Sequence, residues 1–291
     1  MERKKVTIPA LMKMKQRAQK ITFVTAYDYP MAVLADQAGV DIILVGDSVG
    51  MVMLGYPSTL PVTMSEMIHH TKAVVRGAKH AFIVGDMPFM SYNASVEEAI
   101  RNAGRFMKVG CDAVKLEGGS EMSETTRATV DAGIPVMSHI GLTPQRMALL
   151  GGYKVQGRDS STAKRVIEDA EALEKAGAFS ILLECVTAEV AKVITEELSV
   201  PIISVASGPY CDGQALVITD ILGLTLWTPK PKFVKQYVNL SEIILNALRA
   251  YCEDVTTGKF PTDEHSFHMD EGEFEKLLKD LKLKHRSPLE S

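Results

Sequence analysis

Three acidic residues sit where buried strands give way to loops: Asp47 in VGDS (45–48), Asp86 in VGDMPF (84–89) and Glu117 in VKLEGG (114–119). Each follows a β-type apolar run, DIILV, AFIV or CDAV. A carboxylate at the end of a buried strand is unfavourable unless something pairs with it. A set of them on successive strands points to a shared partner, and a divalent cation is the simplest one. Lys115 lies two residues before Glu117, so strand alternation directs both to the same side. His139 and Glu184 close two further runs, IPVMSHI and SILLEC. Asp47, Asp86, Glu117 and Glu184 against Lys115 leave three negative charges in a confined space. Like charges ~4 Å apart repel by about 4 kcal/mol at an effective dielectric of about 20, which a dication relieves. Hard oxygen donors with no Cys among them favour Mg²⁺ over Zn²⁺. Taken singly, these residues also have ordinary uses. Asp47 and Asp86 suit helix caps or Asx turns, and His139 suits a satisfied structural position. Ser48 suits either a loop cap or a ligand contact beside the metal, and Glu184 either the support of a metal ligand or a general base.

The elements that must hold these residues alternate. From Ile21 onward, short β-branched runs are separated by longer helical patterns, the order that makes a parallel sheet covered by helices. The runs are ITFVTAY (21–27), DIILVGD (41–47), AFIVGD (81–86), DAVKLEG (112–118), IPVMSHI (134–140), SILLEC (180–185), PIISVAS (201–207) and, more weakly, ITDILGL (218–224). About eight strands close a (β/α)₈ barrel, whose strand C-termini form the active-site face. Gly39, Gly110, Gly133 and Gly177 precede strands and read as left-handed helix ends. Thr63 with Glu66 and Ser95 with Glu98 read as capping boxes. The segment GGYKVQGRD (151–159) has three glycines and no periodicity, and reads as either a lid or a plain connection. The expected organisation is an α/β barrel with N- and C-terminal helices over residues 1–268, then a charged tail, 269–291, carrying Phe274, Leu277, Leu278 and Leu281 on one face of a short amphipathic helix.

Composition narrows the function classes. Apolar residues are 46% and charged residues 23% of 291, which supports a full-sized core. A net charge of −4 with no basic stripe argues against nucleic acid. No apolar run approaches the ~18 residues of a membrane span, and the first residues lack the apolar core of a signal peptide. Cys111, Cys185, Cys211 and Cys252 are scattered without a CxxC pair, which suits reduced thiols in the cytoplasm.

Several strings occur together and in order: TFVTAYDY (22–29), LVGDSVGM (44–51), STLPVTMSEM (58–67), GDMPFMSY (85–92), VKLEGG, HIGLTPQ (139–145), GGYKVQGR, LLECV and EHSFH (264–268). From about residue 7 to residue 268 the chain resembles the ketopantoate hydroxymethyltransferase (3-methyl-2-oxobutanoate hydroxymethyltransferase) family. The resemblance implies a TIM barrel of the phosphoenolpyruvate/pyruvate type, one Mg²⁺ per subunit, and a homodecamer of two pentameric rings. It implies hydroxymethyl transfer from 5,10-methylenetetrahydrofolate to 3-methyl-2-oxobutanoate through a Mg-stabilised enolate, in pantothenate biosynthesis. By motif, Asp47, Asp86 and Glu117 are the metal set, and Ser48, Lys115 and His139 join Asp47 and Asp86 in contacting the oxo acid. Glu184 is the proton acceptor. The chain departs from the family at residues 203–208, where SVASG, with Ser204 and Ala206, replaces a glycine-rich run, and in the tail beyond His268. Two rival readings are a Mg-dependent C–C lyase acting on a 2-oxo or 2-hydroxy acid and a non-catalytic 2-oxo-acid-binding barrel. Such lyases commonly carry a loop cysteine, and residues 151–159 contain none.

Overall fold

In the computed structural model, residues 3–225 and 230–282 are described. Eight parallel strands close on themselves in sequence order: β1 (Ile21–Thr25), β2 (Ile42–Val45), β3 (Phe82–Asp86), β4 (Ala113–Glu117), β5 (Val136–Gly141), β6 (Ser180–Glu184), β7 (Ile202–Val205) and β8 (Gly213–Leu216). The helices around them are α1 (Ile8–Gln16), α2 (Tyr29–Gln37), α3 (Val49–Val52), α4 (Met64–Gly77), α5 (Val96–Val109), α6 (Ser123–Asp131), α7 (Met147–Leu150), α8 (Ser160–Lys175), α9 (Ala188–Glu197) and α10 (Ile218–Leu222). Beyond them come α11 (Leu240–Thr256) and α12 (Glu273–Asp280). The chain forms two compact units, Met1–Val238 and Asn239–Ser291. The second unit holds α11 and α12, and α12 carries Phe274, Leu277 and Leu278 of the expected amphipathic tail.

Alternation along the strands makes two cores. Inward residues such as Phe23, Leu44, Phe82, Met137 and Ile203 fill the barrel, together with Leu11 of α1. Outward residues such as Ile43, Ile83, Val114, Ile181 and Ile202 pack against helical Val74, Phe106, Leu173 and Ile194. The helices end as expected, with Gly39, Gly110, Gly133 and Gly177 all at positive φ, from 83° to 105°. Thr63 and Glu66 close a reciprocal capping box at α4, whereas the box expected at α5 forms only by half: Ser95 Oγ accepts the Glu98 N–H at 3.1 Å without a return bond from the Glu98 side chain.

The eighth strand was expected at 218–224, but that segment is α10, where Ile218 N–H donates to Thr25 Oγ1 at 3.0 Å. The strand is instead GQAL, a run of low β propensity. Barrel closure selects it, because Gly213 lies beside both Ile21 and Ile203, and a Cβ there would meet Ile21 O and Ile203 Cδ1 at 2.7 Å.

One buried carboxylate staples the barrel far from its mouth. Asp36 of α2 accepts from the N–H groups of Lys79 (3.1 Å), His80 (2.9 Å) and Ala81 (2.7 Å), and lies 2.8 Å from His80 Nδ1. Burial alone would raise its pKa, but the Ala81, Lys79 and His80 N–H groups and the His80 ring hold it down, to about 2. Asp36→Ala is therefore expected to lower stability by roughly 2 kcal/mol near neutral pH. Because the folded pKa is the lower one, this contribution is complete above ~4 and fades as pH falls. Urea unfolding of both proteins across acid pH reads the gap, and a gap that does not narrow in acid would refute the assignment.

Candidate active site

Strand register builds the site. Asp86 is the neighbour of Lys115 across β3 and β4, and Glu117 is the neighbour of His139 across β4 and β5. All four point inward and are essentially dry, with side-chain exposures of 1–3%. Lys115 Nζ lies 2.9 Å from Asp86 Oδ1, 3.3 Å from Glu117 Oε1 and 3.2 Å from His139 Nδ1. His139 Nδ1 is 3.2 Å from Glu117 Oε1, and His139 Nε2 is 3.2 Å from Glu184 Oε2. Asp47 joins through its backbone, whose N–H donates to Asp86 Oδ2 at 3.0 Å. Ser48 lies 2.8 Å from the Tyr27 hydroxyl through its Oγ. Every residue that sequence pattern pointed to thus reaches one cavity of about 600 Å³ at the strand C-termini. Its remaining walls are largely apolar, including Met51, Leu142, Val205 and Phe233.

Two residues that the sequence pattern did not single out complete the cluster. Gln145 donates through Nε2 to Asp47 Oδ2 (2.8 Å) and Met87 O (3.0 Å), and through its backbone to Glu117 Oε2 (3.1 Å). Tyr92 donates to Gln145 Oε1 at 2.6 Å and accepts the Glu117 N–H at 3.2 Å. Both lie within strings that carried the resemblance, HIGLTPQ and GDMPFMSY, but no local pattern marks an amide in a loop as a clamp on two carboxylates.

The electrostatics are strained in one direction. Burial, then Asp86 and Glu117, push the Asp47 pKa well above the ordinary carboxylate range. Asp86 is also raised, chiefly by burial. Burial opposes ionisation of Glu117 too, yet Lys115 and His139 hold it down at about 2. Burial and Lys115 would lower His139, but Glu117 and Glu184 lift it to about 9. The raised Asp47 and Asp86 mark a cluster holding more carboxylate than Lys115 and His139 offset, an excess of negative charge that a dication would relieve.

Among the described residues, no three His, Cys, Asp or Glu side chains stand ready as a metal cage. The reason is visible: Lys115 lies against the Asp86 and Glu117 oxygens, and Gln145 holds Glu117 from the other side. Asp86 Oδ1 faces Lys115 Nζ at 2.9 Å without an aligned hydrogen bond, so its buried oxygen is held by charge alone, which a metal ion could supply in the ammonium's place. Hard, charge-excess oxygens of this kind fit Mg²⁺, which commonly takes only one or two protein carboxylates and keeps its other positions for water and substrate.

Glu184 differs from the other acids, its side chain being 20% exposed at the mouth. Cys185 lines the same cavity, but burial and Glu184 push its thiol up to about 11, so it is no ready nucleophile. The segment 151–159 runs along the rim, where Gln156 bridges Val186 and the Tyr153 hydroxyl lies 4.0 Å from Met51 Sδ. The two departing residues of SVASG, Ser204 and Ala206, do not line the cavity, although Val205 between them does. Ser204 Oγ accepts the Ser207 N–H at 3.0 Å and lies 3.1 Å from Gly208 O, while Ala206 takes the left-handed φ of 59° that glycine would favour.

The fold and the strand-end site define a closed, parallel (β/α)₈ barrel with its reaction cavity at the strand C-termini. Crystal structures of phosphonopyruvate hydrolase (TM-score 0.59, 14% identity, covering 95% of this chain and 96% of that one) and of 2,3-dimethylmalate lyase (TM-score 0.56, 14% identity, 94% and 98%) share the architecture. At that identity they speak for the fold alone. Sequence is more specific: residues 5–263 match the family described as ketopantoate hydroxymethyltransferase. The chain belongs to that family. It is 57% identical over 267 residues to the 3-methyl-2-oxobutanoate hydroxymethyltransferase of Moorella thermoacetica, covering 91% of this chain and 99% of the relative. The enzymes of the same name from Syntrophomonas wolfei (54%, covering 94% and 99%) and Staphylothermus marinus (55%, covering 94% and 100%) match as closely. The chain is accordingly an enzyme of the hydroxymethyl transferase class, which sets aside the non-catalytic barrel. Among the described residues no helix is long and apolar enough to cross a membrane.

Proposed function

We propose that the protein transfers the one-carbon unit of 5,10-methylenetetrahydrofolate to 3-methyl-2-oxobutanoate, with water completing the hydroxymethyl group, to give 2-dehydropantoate and tetrahydrofolate in pantothenate biosynthesis. The observation that carries this reading is the division of labour among the clustered acids that line the cavity: Asp47, Asp86 and Glu117 are buried in its floor, and Glu184, with its side chain 20% exposed, stands at its mouth. A carbon acid needs both a place for developing negative charge and a base beside the C–H bond. Asp47 and Asp86, with Glu117, would hold one Mg²⁺, which when bound supplies Lewis acidity toward the keto and carboxylate oxygens. Lys115 and Ser48 orient the oxo acid, and His139 steadies the Glu184 carboxylate from 3.2 Å. Water adds to the folate methylene and releases it as formaldehyde, both C–N bonds breaking and tetrahydrofolate leaving with the protons. Glu184 takes the C3 proton, and the C3 carbanion adds to the formaldehyde carbon, whose oxygen takes up a proton to become the new hydroxyl.

The test is proton NMR of 3-methyl-2-oxobutanoate in D₂O. The expected result is Mg²⁺-dependent loss of the C3 proton signal without folate, then 2-dehydropantoate once methylenetetrahydrofolate is added. Binding without exchange would refute the reading.

The same reading makes the protein a cytoplasmic homodecamer of two pentameric rings. The four free cysteines suit that compartment. A face of α11 supports self-assembly: Ile243, Leu248 and Tyr251 are each 55–57% exposed, an apolar stripe that water leaves unsatisfied. Sedimentation equilibrium reads the assembly directly.

A further inference from the structure

A second cavity, of about 520 Å³, adjoins the first, with Lys154 and Val155 lining both. Its character is different. Where the first is apolar around a carboxylate cluster, the second is edged by Arg146, Lys154 and Arg165 as well as by Glu121 and Asp169. Three cations thus face two acids, and both acids have partners of their own. Glu121 is ion-paired to Arg146 and accepts the Gly119 N–H at 3.0 Å, and Asp169 accepts the Ser120 N–H at 2.8 Å. Among the described residues neither Lys154 nor Arg165 has an ion-pair partner. The nearby Asp159 caps α8 through Thr162 and interacts with Arg165 through charge alone, with no ion-pair contact between them. The surplus in this cavity is therefore cationic, while the reaction cavity beside it is anionic.

The folate co-substrate has matching polarity along its length: a flat pterin that carries the reactive methylene at one end and glutamyl carboxylates at the other. The pterin end must reach Glu184, so the anionic end needs a cationic space next door, away from the buried acids that would repel it. We propose that the cavity around Lys154 and Arg165 receives the glutamyl carboxylates of the folate, an inference that rests on the methylenetetrahydrofolate reading above. Arg165 offers a planar fork suited to a carboxylate. It projects from α8, a 16-residue helix, which gives it a fixed mount. Lys154 lies on the rim segment between the cavities, placed to meet the molecule where it crosses from one to the other.

The test compares two ligands that differ only in the tail. Binding of tetrahydrofolate and of tetrahydropteroate, which lacks the glutamate, is measured by calorimetry on the intact protein with Mg²⁺, for wild type, Arg165→Gln and Arg165→Lys. The expected result is that wild type prefers tetrahydrofolate by about tenfold, that Arg165→Gln loses most of the preference without weakening tetrahydropteroate, and that Arg165→Lys restores part of it. Equal affinities in wild type, a preference that survives Arg165→Gln, or no binding of either ligand would each overturn the tail site. Folate-free C3 proton exchange, run on the same preparations, keeps the two claims apart. Exchange intact with no tail preference refutes the tail site alone, and exchange absent refutes the underlying reaction.

Discussion

Glu184→Gln is expected to slow C3 proton exchange of 3-methyl-2-oxobutanoate by about 10²–10⁴-fold while leaving Mg²⁺ and oxo-acid affinity within about twofold. The substitution keeps the shape of the side chain and removes its basicity, so the effect isolates proton transfer from packing. Three features make Glu184 the group to test. It ends β6 at the mouth, it is the least buried of the clustered acids, and its Oε2 is 3.2 Å from His139 Nε2. The other acids are poorly placed to act as the base: Glu117 is held by Lys115, His139 and the Gln145 N–H, Asp47 accepts from Gln145 Nε2 and Asp86 lies against Lys115 Nζ, both deep in the cavity. Because Glu184 makes no contact with Asp47 or Asp86 in the structure, its loss should leave the metal side of the site unchanged. NMR exchange rates and metal titration of the variant check the two halves separately. Undiminished exchange would remove Glu184 as the base, and a large loss of Mg²⁺ affinity would move it to the metal set.

Much of this site was legible because strand ends are legible. An apolar run that stops at an acid marks both the strand and its exit, so Asp47, Asp86, Glu117 and Glu184 fall on one face by sequence pattern alone. Lys115 followed from period two. The limits have equally physical causes. GQAL has no β-branched residue, and only its fit between β1 and β7 makes it a strand, whereas ITDILGL has the composition of a strand and is a helix after Thr25 caps its first N–H. Gln145 and Tyr92 act across 98 and 53 residues of chain respectively, a range at which local pattern is silent. The charge count gave the sign of the cluster correctly. It did not show Lys115 already lodged among the acids, which explains why the metal set is not preassembled.

That lodging leads to the second large effect: Lys115→Met is expected to destabilise the Mg²⁺-free protein by about 3–5 kcal/mol, because it strands buried carboxylates without their cation. Lys115 is 3% exposed and contacts Asp86, Glu117 and His139 at once, and a neutral water in its place would bring no compensating charge. Burial normally lowers a lysine, yet the Asp86, Glu117 and Asp47 charges hold this ammonium above its usual range, and the proton stays on throughout the accessible pH. If Mg²⁺ is held by the same carboxylates, it and Lys115 relieve one and the same repulsion. Their stabilisations must then overlap rather than add. Saturating Mg²⁺ should raise the urea midpoint of Lys115→Met clearly more than that of wild type, where site binding at ~100 times Kd would contribute about 2.7 kcal/mol. Turnover should remain lost even with the fold restored, since the metal replaces the lysine's charge but not its grip on the oxo acid. Equal Mg²⁺ increments in the two proteins would show that the metal lies elsewhere, and a variant as stable as wild type without metal would show that the acids meet the loss of Lys115 by taking up protons.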